Sequence, residues 1–285
     1  MTREEYNVLP AEELIKASKI PLEVCDVEAD MYWKVAFELL GVVQENNRRG
    51  EKTLMVIPYG PLGPYARIVW LVNHYRISLR NCTFINMDEY LTADYKYIPR
   101  THPLSFRGGM DRVFYDLLDP ELGVLPENRY FPDPDHPEVP QQLIDRFGKL
   151  DMAMGGVGIN GHYAFNEPPE PGEACTNEEF LARPTRALHI SRETRTINSY
   201  MNCGGDLLGT PPCCVTVGMK EIFQARRVRM CMPRDWNAGA LRRIVCGEPD
   251  CHTPCSLFQQ HPDAKLYAAR VALTPPVPET RVYNK

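Results

Sequence analysis

The sequence predicts an α/β fold, with a mainly parallel sheet covered by helices on both faces, built as a single domain. Three observations lead there. Short apolar runs of about four to eight residues alternate with longer stretches whose apolar residues recur at helical spacing. The runs are apolar at nearly every position, as expected of strands buried from both sides. Several end in glycine- or proline-rich turns that lead into the next helical stretch.

Each element follows in chain order. Residues 1–21 are polar and weakly patterned and read as an N-terminal extension ahead of a domain spanning 22–285. Leu22 to Cys25 is a first strand; behind Asp26 as cap candidate, Met31, Val35, Leu39, Val42 and Val43 mark a helix that stops at Gly50. Thr53 to Ile57 is a second strand, broken by Pro58-Tyr59-Gly60-Pro61, and Ile68, Val69, Val72 and Tyr75 mark the helix after it. Cys82 to Asn86 reads as a third strand, and Phe106, Met110, Val113, Phe114 and Leu117 as one face of a long helix. Leu150 to Met154 runs as a strand into Gly155-Gly156-Val157-Gly158. Cys213 to Val217, Val228 to Met232 and Leu266 to Leu273 complete the strands, with a helix from Trp236 to Val245 between the last two. Right-handed crossovers place the strand-to-helix loops on one edge of the sheet, where open α/β sheets bind ligands. The proline clusters at 120–140, 168–171 and 275–278 read as ordered surface loops.

Composition narrows the function. Lys plus Arg at 32 against Asp plus Glu at 37 gives a net charge of −5, with no block of one sign, which argues against a nucleic-acid or membrane-surface binder. No run approaches the roughly 18 apolar residues of a membrane span, and the first residues lack the apolar core of a secretory signal, so the cytoplasm is the expected location. The 10 cysteines are then expected as reduced thiols, mostly small buried hydrophobes. Cys246, Cys251, His252 and Cys255 carry zinc-type ligands, but their spacing is not that of paired C-x-x-C knuckles, and no metal is expected.

Two strand ends carry chemistry-bearing residues. Asn86-Met87-Asp88-Glu89-Tyr90 places two carboxylates side by side at the ligand-binding edge. Read from the residues alone, one caps the next helix and the other is solvated, or one is a base; both readings stand. The second segment runs from Gly155 to Pro168 and contains Asn160, Gly161, His162 and Glu167. Its glycines let the backbone approach a ligand, His162 can exchange protons near neutral pH, and Glu167 could orient the imidazole. A satisfied structural histidine is the competing reading. The glycine spacing does not match a dinucleotide fingerprint.

Taken together, Asn86 to Tyr90, His102-Pro103-Leu104-Ser105-Phe106, and Met154 to His162 with Ala164 to Pro168 resemble the signature segments of the glucosamine-6-phosphate deaminases, over about Leu22 to Leu273. Pro61 to Tyr65, Thr194-Arg195, Asn198-Ser199, Val215 to Gly218 and Ser256 to Pro262 extend the resemblance. It implies a modified Rossmann-like fold and an aldose-to-ketose isomerisation with loss of ammonia from an amino sugar phosphate, without metal or organic cofactor. Asp88 would move the C2 proton to C1. His162, held by Glu167 and assisted by Asn160, would open the sugar ring. Candidate substrate contacts are Glu89, Gly156, Gly158 and Gly161, and beside them Tyr59, Gly60, Arg195, Tyr200 and Trp236. The expected partner is a small-molecule sugar or sugar phosphate, not nucleic acid or membrane, and a homo-oligomer is compatible with the resemblance.

The phosphate-binding part of the family pattern does not carry over. The family's Thr-Gly-Gly or Thr-Gly-Ser run is replaced by Pro58-Tyr59-Gly60-Pro61, its arginine after Asn-Ser by Tyr200, and its lysine falls near Trp236-Asn237-Ala238. Arg67, Arg186, Arg192, Arg195 and Arg234 are candidate replacement cations. The sequence thus points to an enzyme that keeps the catalytic residues and has changed the group recognised at the far end of the substrate. The alternatives are a 6-phosphogluconolactonase-like hydrolase, and a sugar-binding paralogue without catalysis.

Overall fold

Strand side chains alternate between faces, so a sheet with two apolar faces must be covered twice. A computed structural model describes residues 1–276 of the chain and shows this arrangement. After helices α1 (Arg3–Asn7) and α2 (Ala11–Ala17), strand β1 (Leu22–Cys25) leads into α3 (Glu28–Arg49) and β2 (Thr53–Ile57) into α4 (Gly63–Tyr75). Next come β3 (Cys82–Asn86), β4 (Asp88–Leu91), α5 (Phe106–Val113), β5 (Arg129–Tyr130), α6 (Val139–Phe147) and β6 (Met152–Gly156). The second half holds α7 (Asn177–Leu181), β7 (Arg186–His189), α8 (Arg192–Cys203), β8 (Cys213–Thr216), α9 (Met219–Ile222), β9 (Val228–Met232), α10 (Ala238–Cys246) and β10 (Ala264–Ala269).

The main sheet has seven strands in the order β1-β10-β9-β6-β2-β3-β5, all parallel. Alternate residues feed separate cores. Leu54, Val56, Ala153, Met230 and Leu266 enter one core with α6 and α10, while Met55, Ile57, Met152, Met154 and Tyr267 enter the other with α3 and α4. β2 and β6 are neighbours, and the chain leaves β2 toward β3 on the other side, so their carboxyl ends border a topological switch point.

Several expectations are corrected. Asp26 does not cap α3, whose N-cap is Val27; it pairs with Arg270 at 2.9 Å. The long helix expected from Phe106 to Leu117 ends at Val113, because Phe114 leaves helical dihedrals at φ −139°, and Leu117 is exposed. Cys213 to Val217 does not join the parallel sheet: β8 lies between β4 and β7 in a separate antiparallel sheet. Residues 1–21 pack into the fold, with Tyr6 of α1, Leu14 of α2 and Ile20 after α2 buried in the core and both helices against α10. The fully buried Arg242 donates to Tyr6 O and Leu273 O, both at 2.6 Å, and so ties this segment to the end of the fold. Residues 277–285 of the expected domain, with Pro278, lie outside the described residues.

Candidate active site

Beyond β6 the backbone doubles back tightly. Gly158 N donates to His162 O and Gly161 N to Gly158 O, each at 3.0 Å, with Gly161 at φ +85°, where a side chain would be strained. Gly158 has no room for a side chain, because a Cβ there would lie 2.0 Å from the His162 ring. The imidazole is therefore laid on the glycine backbone.

His162, Glu167 and Asn160 come together as expected. His162 Nδ1 lies 2.8 Å from Asn160 Oδ1 and 3.3 Å from Glu167 Oε2, while Asn160 Nδ2 donates to Glu167 Oε2 at 2.7 Å. Burial pushes the Glu167 carboxyl up, but the charge of His162 and hydrogen bonds from His162, Asn160 and Thr194 outweigh it and bring it down to about 2. Glu167 is thus an acceptor only, so Asn160 must turn its NH2 toward it and its oxygen toward His162. That orientation fixes the proton on Nδ1 and leaves Nε2 as the imidazole atom available to a ligand.

Thr194 is a fourth member that the residue reading left without a role. Its Oγ1 donates to Glu167 Oε2 at 3.2 Å and lies 3.3 Å from His162 Nδ1. It is the third residue of α8, whose polar sequence gives no apolar stripe; the signal available was its place in the Thr194-Arg195 match.

Asp88 and Glu89 are not in a turn. They open β4, so their side chains point to opposite faces. Glu89 is corrected from a substrate contact to an anchor. Fully buried, it accepts from Ser105 Oγ at 2.8 Å and from the Phe106 and Arg107 amides, both at 2.9 Å, with Arg107 Nε at 3.1 Å, which fastens the start of α5. Asp88 is also buried, and burial, followed by the charge of Glu89, pushes its carboxyl up to about 8. It pairs in register with Thr216, whose Oγ1 accepts from the Phe165 amide at 3.0 Å, and the Phe165 ring lies 6.0 Å from the His162 ring. Thr216 and Phe165 thus link the strand that carries Asp88 to the His162 ring.

The remaining candidates divide. Gly156 faces the second-strand loop, with Gly60 O 3.3 Å from where its Cβ would be, so Gly60 and Gly156 bring two loops together. Tyr59 stacks on Phe106 at 4.8 Å and fills the space above Gly109. Trp236 is half-buried in a single turn before α10, next to Asn237, whose Nδ2 donates to Val157 O at 3.2 Å. Tyr200 is 71% exposed near the end of α8. Arg195 Nη2 donates to Leu207 O at 3.1 Å and Thr210 O at 2.9 Å and holds the loop before β8, while its buried Nε has no partner among the described residues. Of the four zinc-type residues, only Cys251 and His252 come together, with Asp250, their ligating atoms within 4.8 Å, among the described residues. Cys246 instead donates to Ala17 O and Cys255 is fully buried.

No protein-family model matches the sequence. Comparison with individual proteins does find relatives. The chain is 30% identical over 212 residues to the glucosamine-6-phosphate deaminase of Aeromonas hydrophila subsp. hydrophila, covering 72% of this chain and 73% of that one. It is 32% identical over 206 residues to that of Yersinia enterocolitica, covering 72% of each. The chain belongs to the glucosamine-6-phosphate deaminase family. Among solved structures, a monomeric glucosamine-6-phosphate deaminase described as a missing link of the NagB superfamily superposes with a TM-score of 0.77 at 21% identity, over 90% of this chain and all of that one. The 6-phosphogluconolactonase of Thermotoga maritima shares the fold at a TM-score of 0.61 and 14% identity, over 87% of this chain and 98% of that one. The family membership makes this chain an enzyme of carbohydrate metabolism. Among the described residues, no helix is long and apolar enough to cross a membrane.

Proposed function

We propose that the protein converts a 2-amino-2-deoxyhexose into the corresponding ketose with release of ammonia, using Asp88, His162 and Glu167. The observation that carries this reading is the Asn160–Glu167–Thr194 network, which holds the proton on His162 Nδ1 and leaves Nε2 to act, in the neighbourhood of a buried carboxylate. Nε2 moves a proton between the C1 hydroxyl and the ring oxygen and opens the sugar. Asp88 takes the C2 proton and returns it to C1, while a proton passes from the amino nitrogen to O1, giving a C2 imine beside a C1 hydroxymethyl group. One water then hydrolyses the imine to a ketone and ammonia. A lactonase has no use for a C–H base, so Asp88 favours the deaminase over the lactonase reading.

The far end of the substrate is proposed to be uncharged. The candidate cations already hold other groups, Arg195 two carbonyls through Nη2, Arg234 Glu28 at 2.9 Å, Arg67 Gly63 O beside the Tyr32 and Trp33 rings, and Arg186 Asn166 Oδ1 at 2.9 Å, although the buried Nε of Arg67 and of Arg195 has no partner among the described residues. Only Arg192 of the five candidates has a side chain without such a tie among the described residues, and it is exposed. Two missing charged hydrogen bonds weaken phosphate binding by about a hundredfold to ten-thousandfold. Ammonia release from glucosamine and from glucosamine 6-phosphate is therefore expected to show kcat/KM values within about tenfold of each other. A preference of a hundredfold or more for the phosphate would overturn the uncharged end and keep the deaminase. Acid release from a lactone without ammonia from any amino sugar would overturn the deaminase.

A further inference from the structure

Two thiols outside this machinery meet where two loops are fastened together. Cys175 lies in the segment that leaves Glu167, and Cys251 in the segment behind the His162 turn. Asn177 clamps the two: its Oδ1 accepts from the Cys251 amide at 2.8 Å and its Nδ2 donates to Pro249 O at 3.0 Å. The Cys251 thiol itself donates to the main-chain oxygen of Cys175 at 3.2 Å. Neither is in a disulfide; Cys175 is partly exposed and Cys251 is buried. Arg183 Nη2 donates to Cys175 Sγ at 3.3 Å, which puts a cation against the sulfur that solvent can reach.

We propose that Cys175 and Cys251 form an oxidation site, at which hydrogen peroxide produces an intramolecular disulfide that slows turnover. Cys175 sulfur attacks one peroxide oxygen; the O–O bond breaks, the other oxygen leaves as hydroxide, and Cys175 becomes a sulfenic acid. Cys251 sulfur then attacks the sulfenic sulfur, forming the S–S bond and breaking S–O. The departing hydroxyl takes up the Cys251 proton as water, so two thiols are oxidised and one peroxide is reduced to two waters. Burial, with the nearby Cys175 thiol, pushes Cys251 up to about 11, which leaves Cys175 as the first target of the oxidant.

The bond would act on the site through existing contacts. Cys255 N donates to Gly161 O at 2.8 Å, and Thr253 packs against Gly161, so the Cys251 segment supports the His162 turn from behind. The Cys175 segment continues directly from Glu167. Drawing the segments together to S–S bonding distance shifts both ends of the turn, and a displacement of about 1 Å in such a site lowers turnover by up to about a hundredfold.

The slowing rests on the deaminase reading; the disulfide does not. Peroxide-treated protein, digested without reductant, is expected to yield a peptide pair joined through Cys175 and Cys251. Ammonia release should fall by about tenfold or more and recover with dithiothreitol. Cys175→Ser and Cys251→Ser keep untreated activity, form no such link and resist peroxide, whereas Cys203→Ser, at the other partly exposed cysteine, remains sensitive. No linked peptide, or a linked peptide with undiminished ammonia release, overturns the proposal. Should untreated protein release no ammonia from any amino sugar, the deaminase reading falls while the linked peptide still decides the oxidation site.

Discussion

Asp88→Asn is expected to lower ammonia release by about a hundredfold to ten-thousandfold in kcat, with little change in sugar binding, because Asn keeps the shape of the side chain and removes the base. The wild-type pH profile should carry the same residue's signature. Asp88 must be ionised to accept the C2 proton, and burial with the Glu89 charge holds its carboxyl near 8 in the free enzyme. Hence kcat/KM, which reports the free enzyme, should rise with pH and level off above about 8. Stability runs the other way. Raised in the folded state from the usual carboxylate range, Asp88 favours folding while it is protonated. That contribution is lost as pH climbs, fully so once it passes about 8. Asp88→Asn has no charge to bury, so the inactive variant should melt at a higher temperature than wild type above pH 8, and less so at pH 5. Turnover retained by Asp88→Asn, or a flat wild-type profile from pH 6 to 9, would remove Asp88 from the mechanism.

Six of the seven strands of the main sheet were legible because covering a parallel sheet on both sides demands nearly unbroken apolar runs, as in Leu54 to Ile57, whereas the two-residue β5 that begins at Arg129 was not. Elements whose buried residues are polar were not legible. β4 places Asp88 and Glu89 in a strand, and only the partner strand β8 and the start of α5 make that burial acceptable. α8 buries Thr194 and Ser199 rather than an apolar stripe, so periodicity could not mark it, and β7 is a short strand that begins at Arg186. The site divides in the same way. Local sequence brings His162, Asn160 and Glu167 together, since two successive tight turns within one short segment hold all three. The role of Glu89 was not legible because its partners, Ser105 and the first amides of α5, are brought to it only by the loop that follows β4. A side chain's type shows what it can bind, but only the fold shows whether another group has already claimed it.

Two glycines, one under the His162 ring and one on the second-strand loop, give the sharpest contrast available at the smallest change in structure. Gly158→Ala is expected to lower kcat by about a hundredfold or more, because the added methyl would sit 2.0 Å from His162 Cε1 and 2.2 Å from Nε2. The ring must then tilt away, and it cannot do so while keeping Nδ1 on Asn160 and Glu167. Backbone strain is not the cause, since Gly158 lies outside the left-handed region. Gly60→Ala is the control. It lies on the facing loop with nothing within 4 Å of its added methyl, so kcat should stay within about threefold of wild type. Measuring both variants beside their melting temperatures separates a displaced imidazole from general damage: Gly158→Ala should remain folded while losing turnover. Equal activity of the two variants would mean that His162 can leave its place above Gly158 without consequence, and would take proton transfer at the sugar ring away from this histidine.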